Sequence, residues 1–322
     1  MEHIERNLDG TFKRIYKVDE NYFDHIDSEE KAYILGFFYA DGCNSIDENS
    51  YSHEISFTQL EQDIDILEKI KKSMKSEHPL YKIIQKSNGK VKYKLSIKSR
   101  KLSDSLYNLG GINNKSLTLK FPDESLFANK SLIRHFIRGY FDGDGCVWNG
   151  KRKKMTVKDS SKPEGFRERI VHNVKFTFTG NYDFINMLQD YLVKCLGFKK
   201  TKLNFSKAKN PNNNTSENVC SMEYSGRKQM KTFYDFIYTN ATIYGNRKFN
   251  KFNEIFCASE EKSSEDTSLI AETPEMEISS QASIVEEGSS TIPEMGVESS
   301  DSKCEAPNDK VKGEDIVSSA MK

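Results

Sequence analysis

Two stretches of the sequence finish in the same acidic turn, YILGFFYADG (33–42) and FIRGYFDGDG (136–145). Each is an apolar, helix-like run in which an aspartate, Asp41 or Asp144, precedes the glycine that stops it. A carboxylate in the last turn of a helix faces the negative end of the helix dipole, which costs a few tenths to about 1 kcal/mol. We therefore expect a bound cation to offset this cost.

The two aspartates suit one type of reaction if they come together. Two carboxylates at close quarters repel each other, so one would take up a proton unless a divalent cation neutralised them. Mg²⁺ binds carboxylates, waters and phosphate oxygens, and in phosphodiester hydrolysis such an ion generates hydroxide and stabilises the leaving oxygen. Asp41 and Asp144 therefore predict a metal-dependent phosphodiesterase site. For one copy alone, a polar turn that ends a helix explains the residues equally well.

The residues around the aspartates repeat at an offset of 103 positions. Gly36 and Ala40 match Gly139 and Gly143, and the two small residues of each helix are four apart, on one face. Small residues at this spacing let two helix backbones approach closely. We predict that the two helices pack as a pseudo-symmetric pair, which forms the interface between two halves and brings the two carboxylates to one end.

Each apolar helix is followed by the same order of strand and helix patterns. EISFTQ (54–59) and KFTFTG (175–180) alternate as strands, and each half continues through a helix, two strands and a closing helix. The predicted fold class is α+β, with two αββαββα halves built on antiparallel sheets. The predicted domains are an N-terminal arm, a first half, a second half and an acidic disordered tail, at 1–25, 26–128, 129–257 and 258–322.

Lysines alternate with apolar residues along two predicted strands, KVKYKLSIK and KKTKLNFS. Basic candidates for binding DNA on one face of these strands are Lys92, Lys94, Lys200 and Lys202. The second half also has 18 more residues between its first two strands, and this basic insertion begins with Lys151, Arg152, Lys153 and Lys154. Lysines that merely solvate an exposed sheet are the simpler explanation of one strand. Together with the paired acids, the pattern favours nucleic acid.

The charges of the chain are divided between a basic body and an acidic tail. From Ala258 onward there are 16 acidic and 5 basic residues, which leaves 32 acidic and 43 basic residues before it. The tail has no aromatic residue and many Ser, Glu and Thr residues, a composition typical of disorder. Apolar runs are too short for a membrane span and the six cysteines form no CxxC pair, so we expect an intracellular, reducing compartment such as cytoplasm, nucleoid or organelle matrix, not secretion.

The two acidic motifs resemble those of a LAGLIDADG homing endonuclease in its single-chain, two-motif form, and the resemblance covers roughly residues 22–257. It implies a monomer whose two sheets form a saddle over double-stranded DNA. It also implies cleavage of both strands of a long site, with Mg²⁺ or Mn²⁺ held by the last acid of each motif, Asp41 and Asp144. Asp142 has no acidic counterpart, because Tyr39 stands at its matching position, and we assign it a structural role.

The resemblance further implies a basic residue at the end of the fourth strand of each half, where it would stabilise the transition state. Lys98 fits this place in the first half, and Arg227 or Lys228 fits it in the second, where we choose Lys228. Gln59 is a candidate for organising the attacking water. Gly180 at the matching position makes the site asymmetric.

Three other functions are compatible with parts of this pattern. An intron RNA maturase or a non-cleaving DNA-binding protein would keep the scaffold, although the presence of both acids favours cleavage. An intein would need a nucleophile at its first residue and Asn at its last, so Met1 and Lys322 favour a free-standing protein. A transcription regulator would need a second DNA-reading module, which the acidic tail does not offer.

Overall fold

The structure is a computed structural model that describes residues 14–47, 52–86, 89–111, 118–156, 167–205 and 218–268, with the backbone alone described at 152, 154–156, 167–169 and 258–268. The predicted disordered tail lies outside the described residues from 269 onward. Its first part, 258–268, is helical, which corrects the predicted start of the tail. Both halves belong to one compact unit, Met1–Ala271, and the predicted boundaries between domains stay predictions.

The elements follow the predicted order in both halves. The first half contains α1 (Glu29–Asp41), β1 (Gly42–Asp47), β2 (Ser52–Leu60), α2 (Ile64–Ser73), β3 (Leu80–Ile84), β4 (Val91–Lys98) and α3 (Arg100–Asn108). The second half contains α4 (Ile133–Asp144), β5 (Gly145–Thr156), β6 (Arg167–Asn181), α5 (Tyr182–Leu196), β7 (Asn204–Phe205), β8 (Val219–Ser225) and α6 (Arg227–Tyr238). A further helix, α7 (Asn246–Ser268), follows the second half and was not predicted. No helix in the described ranges is long and apolar enough to cross a membrane.

Each half builds one antiparallel sheet of four strands, ordered β1-β2-β4-β3 and β5-β6-β8-β7. The registers are equivalent: Phe57 of β2 pairs with Gly42 and Leu95, while Phe178 of β6 pairs with Gly145 and Met222. The predicted α+β class and the two αββαββα halves are therefore confirmed.

One face of each sheet packs against helices and the other is open. In the first sheet the buried apolar residues include Ile55, Phe57, Leu95 and Ile97, and in the second they include Phe176, Phe178, Met222 and Tyr224. Because side chains alternate between the faces of a strand, the residues between these positions belong to the open face. The predicted basic face of β4 is of this kind.

The helices α1 and α4 pack with their backbones in close contact, as the small residues predicted. A Cβ added to Gly36 would lie 1.9 Å from the backbone oxygen of Phe136, and one added to Gly139 would lie 1.9 Å from that of Tyr33. Such distances leave no room for a side chain. Glycine is therefore required at both crossing positions.

Gly36→Ala should lower the free energy of unfolding by about 1–3 kcal/mol or more, because the added methyl group meets backbone that cannot turn aside. Urea unfolding of the full chain measures this change. Gly139→Ala should cost a similar amount, since its surroundings are equivalent. Unchanged stability in both variants would contradict the close packing of the two helices.

Candidate active site at the ends of the paired helices

The structure brings Asp41 and Asp144 to the same end of the helix pair, as predicted. Asp41 ends α1 and Asp144 ends α4. A Cβ on Gly143 would lie 2.2 Å from the Cβ of Ala40 and 3.2 Å from the Oδ2 of Asp41. Both carboxylates lie close enough to Tyr140 to affect its pKa. Burial is the main cause that raises this pKa well above its usual value, and the charges of Asp144 and Asp41 raise it further.

The paired carboxylates offer oxygen donors of the kind that hard divalent cations take. In the described ranges, no group of three or more His, Cys, Asp or Glu side chains is arranged to hold a metal ion. Mg²⁺ does not require such a cage, because it is usually bound by one or two carboxylates together with waters and substrate phosphates. Asp41 and Asp144 supply that donor set.

The two halves hold their carboxylates with different polar groups. In the first half, the side-chain amide of Gln59 donates to Oδ2 of Asp41 at 2.7 Å. Gly180 stands at the position that matches Gln59, and a Cβ there would lie 2.5 Å from the hydroxyl of Tyr140. That hydroxyl lies beside Asp144 and donates to the backbone oxygen of Thr179 at 2.9 Å.

The two halves therefore place a polar group beside the carboxylate with different residues. Tyr140 matches Phe37 of the first half, which has no hydroxyl. One half thus combines phenylalanine with glutamine, and the other combines tyrosine with glycine. The missing amide at Gly180 indicated asymmetry from the sequence, but the tyrosine that replaces it is visible only in the packing.

Lys248 of α7 is a residue that sequence reasoning missed. Its ammonium group is buried and donates to the backbone oxygens of Phe141, Asp142 and Gly143 at 2.7, 2.7 and 2.9 Å. These oxygens form the negative end of α4, so an internal cation already offsets part of the dipole cost that the sequence assigned to a bound ion. Burial lowers the pKa of Lys248 to about 8, against the raising effect of nearby carboxylates.

Asp142 is part of a buried hydrogen-bond network, which agrees with the structural role that we assigned to it from the sequence. Its carboxylate is buried and accepts hydrogen bonds from the hydroxyls of Tyr33 and Tyr238 at 2.9 and 3.1 Å, and from the backbone N–H of Gly245 at 2.6 Å. Burial raises the pKa of Asp142, while the charge of Lys248 opposes the shift. Asp142 therefore joins both motif helices to the segment that leads into α7.

A second buried charge, Arg138 of α4, secures the same segment. Its guanidinium group is fully buried and donates to the backbone oxygens of Ile237 and Ile243 at 2.6 and 2.8 Å and to the carboxylate of Glu29 at 2.6 Å. Glu29 begins α1 and also accepts from the N–H of Thr242 at 2.6 Å. Further along, Arg247 binds Asp63 of the first half at 2.7 Å.

The two predicted transition-state lysines lie away from the carboxylates. Lys98 pairs in register with Glu54, whereas Asp41 contacts Gln59, five residues and about 17 Å further along β2. In the second half the residue equivalent to Lys98 is Ser225, and Lys228 lies beyond it in α6. Strand register decides this, and the local sequence could not reveal it. Lys248 is the lysine that the structure places beside the site.

The predicted basic residues of the sheets are only partly where they were expected. Lys92 and Lys94 lie on the open face of β4. Lys200 and Lys202 precede the short strand β7 instead of belonging to it, and Lys200 binds Asp190 of α5 at 2.6 Å. In β5, Lys151 and Lys153 are exposed, and the side chains of Arg152 and Lys154 lie outside the description. The predicted basic hairpin exists as β5 and β6, with its tip outside the described residues.

Comparison with known families finds a match for the second half of the repeated scaffold. Residues 131–256 match the family model described as a LAGLIDADG-like domain. The second half of the chain is therefore similar to a LAGLIDADG-like domain. The match runs from just before α4 to the middle of α7, so it includes Asp144, Tyr140 and Lys248. It confirms for this half the resemblance that the two motifs indicated.

Curated relatives share only a segment with this chain. A DNA polymerase of Acanthamoeba polyphaga mimivirus is 32% identical over 127 residues, which are 39% of this chain and 7% of the polymerase. A probable phosphoenolpyruvate synthase of Methanocaldococcus jannaschii is 27% identical over 186 residues, 54% of this chain and 15% of the synthase. The chain therefore spans a small part of these relatives, whose names describe different reactions.

Solved structures with a similar course of the chain include two LAGLIDADG proteins in complex with DNA. The I-LtrWI LAGLIDADG homing endonuclease bound to target DNA has a TM-score of 0.46 at 13% identity, covering 76% of this chain and 92% of that one. The LAGLIDADG meganuclease I-AabMI bound to uncleaved DNA has a TM-score of 0.41 at 17% identity, covering 72% and 91%.

Proposed function

We propose that this protein is a site-specific endonuclease that hydrolyses both strands of a double-stranded DNA target. The observation that carries the proposal is the meeting of Asp41 and Asp144 at the ends of two closely packed helices, between two equivalent sheets. The LAGLIDADG-like domain supports it, because it contains one of the two carboxylates. We expect the protein to act as a monomer, since one chain provides both halves.

Asp41 and Asp144 would hold a divalent metal ion, Mg²⁺ or Mn²⁺, against the phosphate of the DNA. Such an ion supplies a hydroxide at neutral pH and stabilises the leaving oxygen. Gln59 orients the first carboxylate and Tyr140 the second. Lys248 holds the end of α4, so that Asp144 keeps its position when a charged substrate binds.

The open faces of the two sheets would bind the DNA on either side of the carboxylates. Lys92 of β4 supplies positive charge for the phosphates from the open face of the first sheet, and the exposed Lys151 and Lys153 add positive charge along β5. The body of the chain before Ala258 has 11 more basic than acidic residues, which favours a polyanionic partner.

A cleavage screen of the full chain tests the proposal. The protein is incubated with a plasmid library of source-genome DNA in Mg²⁺ and, separately, in Ca²⁺, and the new DNA ends are sequenced, with Asp144→Asn as the control. Mg²⁺-dependent ends at one site, absent with the variant, are the expected result. Specific binding of DNA without new ends in either metal would instead favour a non-cleaving DNA-binding protein. If the protein bound intron RNA in a separate binding assay but did not bind DNA, a maturase would be favoured.

Tyr140→Phe should slow hydrolysis of one strand by roughly 2- to 10-fold, because it removes the hydroxyl beside Asp144 that is fixed by the backbone oxygen of Thr179, and a hydrogen bond contributes about 0.5–1.5 kcal/mol. On a supercoiled plasmid that carries the target, nicked DNA should then accumulate. The double variant Tyr140→Phe/Gly180→Gln copies the Phe37 and Gln59 arrangement of the first half and should restore the second cut. Equal slowing of both strands, or no slowing, would contradict the role of the tyrosine.

A further inference from the structure

Among the described residues, each sheet has a lysine–glutamate ion pair on its open face. In the first sheet, Nζ of Lys94 lies 2.7 Å from Oε1 of Glu54. In the second, Nζ of Lys175 lies 2.5 Å from Oε2 of Glu223. The residues on either side of Lys175 and Glu223 are buried against the helices, which places both members of this pair on the open face.

The two pairs lie in the same region of the two sheets and share one equivalent position. Glu54 lies three residues before Phe57 in β2, and Lys175 lies three residues before Phe178 in β6. These phenylalanines pair with Gly42 and Gly145, which follow the motif helices, so each position is about 10 Å along the strand from a helix end. The acid belongs to the second strand in one half and to the fourth strand in the other. The position shared by Glu54 and Lys175 therefore carries opposite charges in the two halves, whereas Lys94 is equivalent to Ser221 and Glu223 to Ser96.

An acidic side chain is unfavourable on a face that binds a polyanion, because it opposes the attraction between the basic residues and the phosphates. An ion pair on an exposed surface does not offset this, since such pairs contribute only about 0–1 kcal/mol to stability. Each of the four side chains is about one quarter to one third exposed, so solvent reaches both members of each pair. Stability of the sheet therefore does not account for Glu54 and Glu223.

The pairs match the major-groove edge of one kind of base pair. Guanine presents two acceptors, O6 and N7, to which a lysine ammonium can donate, and the cytosine beside it presents an amino group that a glutamate accepts. A donor and an acceptor held within 3 Å of each other, as in these pairs, face both bases at once. In an A·T pair the amino group of adenine, a donor, lies between the acceptors N7 of adenine and O4 of thymine. A lysine ammonium, which only donates, therefore finds fewer adjacent acceptors there than on guanine.

Resting on the proposed binding of DNA, we infer that Lys175 and Glu223 read a G·C base pair in one half of the target and that Lys94 and Glu54 read another in the other half. The pocket around the first of these pairs is lined by Trp148, Lys151, Asn173, Lys175 and Glu223. Trp148, whose ring centroid lies 5.8 Å from Nζ of Lys175, supports the lysine from one side. The charge of a pair is balanced, so its contribution is to specificity and not to general affinity for DNA.

The inference is tested by selecting bound duplexes from a random pool with the full chain in Ca²⁺ and sequencing them. The wild-type protein should enrich a site with a G·C base pair at one position in each half. Glu223→Gln should relax one of these positions by roughly 5-fold or more, and Glu54→Gln the other. Glu223→Gln should also strengthen binding to unselected duplex, because a negative charge has been removed.

Two further variants make the test specific. The exchange Lys175→Glu/Glu223→Lys swaps donor and acceptor and should change the preferred G·C to C·G at the same position. Asp190→Asn removes the same charge from the ion pair with Lys200, whose members are 53% and 52% exposed on the helix side, and should change neither specificity nor affinity. The fluorescence of Trp148, the single tryptophan of the chain, confirms that each variant is folded and reports duplex bound beside it.

The outcomes separate this inference from the proposed function. A site that is enriched but shows A·T or no preference at these positions, or that Glu223→Gln leaves unchanged, would overturn the reading of G·C while leaving the DNA-binding function in place. If the wild-type protein enriched no sequence at all, both would be overturned.

Discussion

Replacing either Asp41 or Asp144 by asparagine should abolish cleavage while leaving binding of the DNA target intact. The expected loss of rate is at least about 1000-fold, because a metal ion that activates water and stabilises charge contributes several kcal/mol to the transition state. Asparagine keeps the size of the side chain and removes the charge that holds the ion. Cleavage rates in Mg²⁺ and equilibrium binding in Ca²⁺, measured on the same duplex, give the two quantities.

The free protein should respond to the same substitutions in the opposite direction. With no metal bound, Asp41 and Asp144 repel each other and both face the negative ends of their helices, so either asparagine should raise the free energy of unfolding slightly. Asp190→Asn, which removes an exposed carboxylate far from the helix ends, serves as the matched control and should change neither rate nor binding. Cleavage that survives in both single variants would exclude these two residues as metal ligands.

Arg138→Met should lower the free energy of unfolding by about 3–5 kcal/mol, the cost of leaving a buried charge without its partner. The guanidinium group is fully buried, and its loss strands the carboxylate of Glu29 and two backbone oxygens, those of Ile237 and Ile243. Because these contacts join α1, α4 and the segment before α7, the unfolding transition of both halves should shift to a lower urea concentration. Urea unfolding followed by circular dichroism measures the change.

Two companion variants separate the ion pair from general damage to the helix. Arg134→Met lies one turn earlier in α4 and changes the same side chain at a position that is not fully buried, so its cost should be below about 0.5 kcal/mol. The double variant Arg138→Met/Glu29→Gln removes both charges and should recover part of the loss. A loss for Arg138→Met no larger than that for Arg134→Met would show that the buried pair does not secure the fold.

The lysines show how far a local pattern can be trusted at this site. The alternation in β4 predicted correctly which face Lys92 and Lys94 occupy, because strand periodicity is a property of consecutive residues. It did not predict that Lys98 would lie about 17 Å along the sheet from the Gln59 that contacts Asp41, because that depends on which residues of β2 it pairs with. Lys228 lies in α6, beyond the end of the fourth strand of the second half, and its predicted role stays a prediction.

The partners of the carboxylates show the complementary limit. Lys248 binds the backbone oxygen of Gly143, 105 residues earlier in the chain, and the hydroxyl of Tyr140 occupies space that a side chain at Gly180 of β6 would fill. Neither contact produces a periodic pattern in the sequence, since each depends on the space left between packed elements.

By itself, the sequence determined the two apolar helices, their glycines, the order of strands and the two acids, because each is encoded in nearest-neighbour patterns and repeated at a constant offset. The tertiary structure alone decided which groups surround those acids: Gln59, Tyr140 and Lys248, and the buried network of Asp142 and Arg138. Backbone periodicity is set by local sterics and hydrogen bonds. The contacts of a side chain are set by strand register and by the volumes that distant residues leave free.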